Sequence, residues 1–340
     1  MSKIICIASG KGGVGKTLVT AALSIALQRQ HCSVLAVDAD MGLRNLDLMF
    51  GVQNSVLYDM GDILKGRCQP QDAVIPLMNG LDFLAASQKR TWEKIDASTF
   101  HYTVETLASK YDYTLIDCPP GRGLPYKAAV SIADRIFFVV EPTWASLRDA
   151  GRVMQFCDKH KQFNYDILCN NFFRNDPAYV TVDEMFNVLN PESIAGILPH
   201  DNAVQQAVKE GDFIHIDESN PFFRALEQTV AYIKEGTNPS VEKLVKWLPD
   251  SESETVADSP HAGLIQKQEN HVKGIAAAEL KKAAAIFANG TAVEAAGETN
   301  VIRTGNQENN DEQVVEKGKG KRMSLRQRRQ QSMAWRHYHR

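Results

Sequence analysis

Residues 9–17, SGKGGVGKT, stand between a short apolar run, KIICIA, and an amphipathic stretch, KTLVTAALSIALQRQ. Gly10, Gly15, Lys16 and Thr17 occupy the fixed places of the pattern G-x-x-x-x-G-K-[ST], with Gly12, Gly13 and Val14 filling the loop. A glycine loop at a strand-to-helix junction constrains the fold strongly. Its N–H groups converge on phosphate oxygens at the helix N-terminus, and a strand feeding a helix in this way belongs to a mostly parallel sheet. Lys16 is expected to bridge the β- and γ-phosphates of a nucleotide and the Thr17 hydroxyl to bind Mg²⁺. The loop also holds a second lysine, Lys11, to which the phosphate pattern assigns no task.

The runs SVLAVDAD, LDFLAA, YTLIDCPP, RIFFVVEP, YDILCNN and SIAGILP continue the theme: they are short, mostly apolar on both faces, and most are closed by Asp, Asn or Pro. Amphipathic stretches lie between them, so the expected fold is α/β: a P-loop nucleotide-hydrolase domain over residues 1–236, a mostly parallel sheet with helices on both faces and ligands beyond the strands' carboxyl ends. Residues 237–340 change character. SESETVADSP, the Ala-rich stretch at about 274–289 and NVIRTGNQENNDEQ bury too little apolar surface to offset their ordering entropy, and this tail is expected to be largely disordered with local helices.

Two further strand ends carry acids. VDAD places Asp38 and Asp40 where paired carboxylates can orient an attacking water and complete a metal shell. YTLIDCPPG supplies Asp117, in the position of an acid that holds Mg²⁺ through water, followed by Gly121 in a loop able to sense the γ-phosphate. The six cysteines are widely spaced, with no C-x-x-C pair and no His cluster at ligand spacing, which argues against zinc and iron–sulfur sites and for reduced thiols in a cytosolic interior. The formal net charge of -3 decides nothing about nucleic acid or membrane. No leader and no spanning segment are expected, because the first apolar run is too short and no run of about 18 apolar residues follows.

The loop KGGVGKT (11–17) resembles the deviant Walker A motif of the MinD/ParA ATPases, and DADMGLRNLDLMFG (38–51), LAASQKR (84–90), AVSIADRIFFVVEPTWASLRDAGRV (129–153) and GILPHDNAVQQAVKEGDFI (196–214) are similar to segments of the MinD branch. The resemblance covers the globular part and none of the tail beyond about residue 250. It implies that Lys11 reaches across an ATP-sandwiched homodimer to the partner's phosphates, where a lysine in trans neutralises concentrated charge and excludes water. It also implies that Asp40 positions water, Asp38 belongs to the metal and phosphate surroundings, Asp117 and Thr17 serve Mg²⁺, and Asn170 (or Asn171) and Pro199 frame the adenine. Asp201 assists at the base or ribose or else forms a surface turn.

The same resemblance implies an ATP- and Mg²⁺-dependent ATPase that positions the division septum. It would be cytoplasmic and peripheral on an anionic inner membrane surface, with MinC- and MinE-like partners, a division inhibitor and a protein that stimulates hydrolysis. In SVEKLVKWL (240–248), Val241, Leu244, Val245 and Leu248 share one helical face, with Trp247 nearby. That pattern suits a membrane-binding helix and equally a last helix packed on the domain. The terminus 317–340 holds nine Lys and Arg and no acid, which suits lipid or nucleic acid. An FlhG-type flagellar regulator generally has an extension before the loop, and this chain begins two residues before its first strand; a ParA-like DNA-partition ATPase is disfavoured by GLRNLDLMFG but supported by the basic terminus. An iron–sulfur assembly ATPase would need paired cysteines and a tyrosine autokinase a tyrosine-rich tail.

Overall fold

The computed structural model of the chain describes residues 2–89, 92, 96–121, 123–159, 164–173, 176, 178–188, 194–236 and 239–248, all within one unit, Met1–Ser259. The chain begins with strand β1 (Lys3–Ala8), helix α1 (Lys16–Arg29) and strand β2 (Val34–Asp38), followed by the short helices α2 (Leu46–Met49) and α3 (Met60–Ile63). Strands β3 (Val74–Met78) and β4 (Leu81–Leu84) form a hairpin before α4 (Ala97–Ala108). Regular alternation then resumes with β5 (Tyr113–Asp117), α5 (Leu124–Ile132), β6 (Arg135–Val140), α6 (Trp144–Lys159), β7 (Tyr165–Phe172), α7 (Val182–Val188), β8 (Ile194–Pro199), α8 (Asn202–Glu210), α9 (Pro221–Glu235) and α10 (Val241–Val245).

One sheet collects these strands in the order β3-β4-β2-β5-β1-β6-β7-β8, parallel except for the β3–β4 pair. β2 and β5 are buried along their whole length, and β1 and β6 except at their first residue, as expected of a sheet covered on both faces. α1 is apolar nearly all round and is accordingly buried between the sheet and α9. On the opposite face, α4 and α5 close a second apolar layer around Phe100, Tyr126 and Phe138.

The strand β3 was not among the expected ones. Pro76 interrupts its apolar run, and such a residue fits only where a backbone N–H can be spared, which is the case on this edge strand. The overlooked signal was Asn79-Gly80, a two-residue hairpin turn with Gly80 at φ 87°.

α10 bears on the two readings of residues 240–248 left open by the sequence. Leu244 and Leu248, 3% and 4% exposed, lie in an apolar cluster with Phe172, Val180, Met185, Ile194 and Ile197, and Trp247 packs from the side against the main core. The face read from the sequence as membrane-binding is therefore occupied by protein in this structure, Val245 is partly buried, and only Val241 is well exposed. The cause is the neighbouring β8 and the α7 side chains, which leave an apolar seat that a short amphipathic helix fills. The Ala-rich stretch at 274–289 and the basic terminus at 317–340 lie outside the described residues. No helix among the described residues is long and apolar enough to cross a membrane.

Candidate nucleotide site

The carboxyl ends of β1, β2, β5, β6, β7 and β8 converge on a cleft of about 720 Å³ lined by Gly12, Gly13, Gly15, Lys16, Thr17, Asp40, Pro120, Glu141, Asn170, Asn171 and His200, with Leu43, Asn45, Leu48 and Met49 along the wall next to β2. Gly13 and Gly15 have φ values of 84° and 89°, the left-handed region that a side chain disfavours. A Cβ on Gly15 would also lie 2.2 Å from Asn170 Nδ2. Asn170, 5% exposed, donates from that nitrogen to the Val14 carbonyl at 3.1 Å and so braces the loop from β7. Gly10 lines no part of the cleft. It lies against the α6 backbone, where a Cβ would meet the Asp149 carbonyl oxygen at 3.1 Å.

Lys16 is 7% exposed at the start of α1, with both Asp40 and Asp117 close enough to act on it electrostatically. Lys11 is exposed and outside the cleft that Lys16 enters; its carbonyl accepts from Ser9 Oγ at 2.6 Å. The two lysines of one loop thus face different surroundings.

The three acids also separate. Asp40 lines the cleft, half-buried; burial pushes its carboxyl up and the Lys16 ammonium pulls it back. Asp117 is buried at the end of β5, pushed up to about 7 by desolvation although Thr17 donates to it and Lys16 lies near. Thr20 Oγ1 reaches Asp117 Oδ1 at 3.4 Å. Asp38 stands directly beside Asp117 in the parallel register and is wholly buried, its carboxyl driven well up by desolvation and by its neighbour's charge. It does not line the cleft. Its Oδ1 accepts from the Asp40 N–H at 2.8 Å and its Oδ2 from the Leu46 N–H at 3.1 Å, so it ties down the loop that carries Asp40. The expected direct place of Asp38 among the phosphates is thus corrected to a bracing position one residue layer behind them. The same loop is held by Arg44, whose Nε lies 2.7 Å from Asp47 Oδ2, both side chains being nearly inaccessible, and by Trp92 Nε1, which donates to the Ala39 carbonyl at 2.8 Å.

At the other end, both asparagines of LCNNF line the cleft. Pro199 does not: it is buried as the last residue of β8, and His200 takes the place expected for it. Asp201 caps α8, accepting from the Val204 N–H at 3.0 Å and from Asn220 Nδ2 at 3.0 Å, which is the turn reading of that residue. His200 and Glu141 were not singled out from the sequence, although both follow directly on parallel strands and the rule of ligands at strand ends would have found them.

The donor set suits a magnesium nucleotide. The loop presents backbone N–H groups where Cβ atoms are excluded, Lys16 offers a cation, and a hydroxyl beside a desolvated carboxyl, Thr17 with Asp117, is a hard oxygen pair whose ionised form a divalent cation would favour.

An AAA-domain family model matches residues 2–168. A septum site-determining protein MinD from Synechocystis sp. is 34% identical over 225 residues, which cover 64% of this chain and 84% of that protein. Among solved structures, the MinC:MinD cell division protein complex of Aquifex aeolicus contains a chain 33% identical, superposing with a TM-score of 0.64 over 70% of this chain and 98% of its own length. The septum site-determining protein MinD of Pyrococcus horikoshii, complexed with Mg-ADP, is 27% identical, with a TM-score of 0.61 over 69% and 97% of the two chains. With the parallel sheet, the two-lysine loop and this similarity over nearly the full length of those proteins, the chain belongs to the MinD family of septum site-determining proteins, within the MinD/ParA class of P-loop nucleotide hydrolases.

Proposed function

We propose that this chain is a Mg²⁺-dependent ATPase whose ATP-bound form is a homodimer at an anionic membrane surface, where it acts in placing the division septum. The observation that carries the reading is the division of labour between two lysines of one loop: Lys16 is buried in its own cleft, while Lys11 is exposed and outside it. A cation so placed is free to complete a second copy's site, which would make ATP part of the interface and couple association to hydrolysis.

In this mechanism the loop N–H groups of residues 12–17 and the Lys16 ammonium hold the phosphates. Thr17 and Asp117 would hold Mg²⁺, which when bound neutralises charge on the β- and γ-phosphate oxygens. Asp40 accepts a hydrogen bond from the attacking water and aims its oxygen at the γ-phosphorus; the bond to the β–γ bridging oxygen breaks and ADP leaves as the other product. Asp38 acts through the backbone, fixing Asp40 by its bond to the Asp40 N–H. Asn170 steadies the loop and, with Asn171, flanks the base end of the cleft. The Aquifex relative in complex with MinC suggests an inhibitor of that kind as one partner; a MinE-like stimulator of hydrolysis is proposed beside it. Membrane attachment through residues 240–248 would require α10 to leave its seat, so the basic stretch 317–340 is proposed as the first contact.

Three variants test the reading together, by light scattering and phosphate release with Mg²⁺ and ATP. Lys16→Ala should lose ATP binding and with it the dimer. Asp40→Ala should dimerise yet hydrolyse at least about 10²-fold more slowly. Lys11→Ala should bind ATP as a monomer, and a normal ATP-dependent dimer of Lys11→Ala would remove the argument for a lysine acting in trans.

A further inference from the structure

We infer that Trp92 is a positioning residue for ATP hydrolysis: its indole N–H holds the one peptide unit that aims Asp40 at the attacking water. The inference rests on the ATPase reading of the cleft and adds a residue that does not itself line it. Trp92 stands on the connection between β4 and α4, buried, and its Nε1 donates to the Ala39 carbonyl at 2.8 Å. The N–H of the same peptide unit, that of Asp40, donates to Asp38 Oδ1 at 2.8 Å. A trans peptide is a rigid plane with these two groups on opposite edges, so this one is gripped by a side chain at each edge. Its orientation sets ψ at Ala39 and φ at Asp40, the torsions that decide where the Asp40 Cβ points relative to β2.

The indole is itself fixed. It meets Phe100 edge to face, with ring centroids 5.1 Å apart and planes at 66°, in the apolar layer that also holds Ala39 and Met41. Backbone bonds settle what lies on either side of the peptide: the Ala39 N–H donates to the Asp117 carbonyl at 3.0 Å, the Gly42 N–H to the Ser87 carbonyl at 2.7 Å and the Arg44 N–H to the Asp40 carbonyl at 3.0 Å. Between those points the plane carrying Asp40 depends on Asp38 at one edge and on Trp92 at the other. The Ala39 carbonyl also accepts from the Met41 N–H at 3.0 Å. Without the indole N–H the buried carbonyl would therefore still have a partner, so the loss falls on the aim of Asp40 rather than on folding.

Two variants of the full chain remove the N–H: Trp92→Phe, which keeps a flat ring against Phe100, and benzothienylalanine at residue 92, which keeps the bicyclic shape with sulfur in place of the N–H. In phosphate release with Mg²⁺ and ATP, kcat should fall about tenfold in both, with KM and the ATP-dependent dimer seen by light scattering within about twofold of wild type. Melting temperatures should stay within about 4 °C of wild type; should Trp92→Phe melt lower because its ring is smaller, the benzothienylalanine chain decides alone. Added to Asp40→Ala, either change should alter the remaining rate by less than about twofold, because a residue that acts through Asp40 then has nothing left to aim. The assignment is overturned if the benzothienylalanine chain keeps the wild-type kcat, if kcat falls by the same factor with and without Asp40, or if the fall comes with an equal rise in KM or with loss of the dimer. A wild-type chain that neither bound nor hydrolysed ATP would instead overturn the ATPase reading itself, and this role with it.

Discussion

Truncating Leu244 to alanine removes most of a side chain that is 3% exposed and packed among Phe172, Val180, Met185, Ile194, Ile197 and Leu248. Leucine-to-alanine changes at such sites cost about 2–5 kcal/mol, the transfer of the lost methyls plus the cavity left behind. A short helix on the outside of the domain can relax inward, so we expect the lower half, about 3 kcal/mol. For a domain of this size that corresponds to a fall of roughly 6–12 °C in melting temperature. Val241, on the same short helix but 46% exposed, supplies the control: Val241→Ala should change stability by less than about 0.5 kcal/mol. Urea unfolding followed by circular dichroism, without lipid or nucleotide, reads both variants at once. Equal and negligible effects from Leu244→Ala and Val241→Ala would refute the packing argument and return residues 240–248 to the membrane-binding reading.

Three further expectations follow from the site. Gly15→Ala forces alanine to φ 89° and drives its Cβ into Asn170 Nδ2, so it should cost about 1–2 kcal/mol through the backbone alone and abolish measurable ATP binding; tight ATP binding by this variant would show that the loop does not need this conformation. Asp117, with an ordinary value of 3.8, is pushed up to about 7 in the fold. Between those two values the folded chain keeps a proton that the unfolded chain has released, so without ligand Asp117 contributes a fall in stability as pH rises from about 4 to 7, to which its raised neighbour Asp38 adds. Asp117→Asn should flatten that fall in urea midpoints, and an identical pH profile in the variant would contradict the assignment. Arg44→Met leaves Asp47, 1% exposed, as an uncompensated buried charge and should destabilise by about 3–5 kcal/mol, with Arg44→Met/Asp47→Leu recovering much of the loss; no recovery would mean that the pair is not the cause.

The phosphate loop was legible in the sequence because its physics is local. Glycines at residues 13 and 15, a lysine and a hydroxyl at consecutive positions, and a strand before and a helix after mark the cradle within a short stretch, although Asn170 then braces it from β7. The parallel strands were legible for a related reason: a strand covered on both faces must be apolar on both, and β2 and β5 are. What the linear order left open was settled by neighbours far away in the chain. Asp38 and Asp40 look equivalent in VDAD, but one is turned inward beside Asp117 and spent on backbone N–H groups, while the other meets the cleft. That choice depends on β5, some 75 residues on, lying directly alongside β2. Doubled asparagine in LCNNF posed a similar ambiguity, and the fold gave the two side chains separate tasks, Asn170 on the loop and Asn171 on His200. For SVEKLVKWL the pattern alone is degenerate, since an apolar helical face is the same whether lipid or protein covers it. Only the tertiary structure, by leaving an apolar seat between β8 and α7, decided that Leu244 and Leu248 face protein.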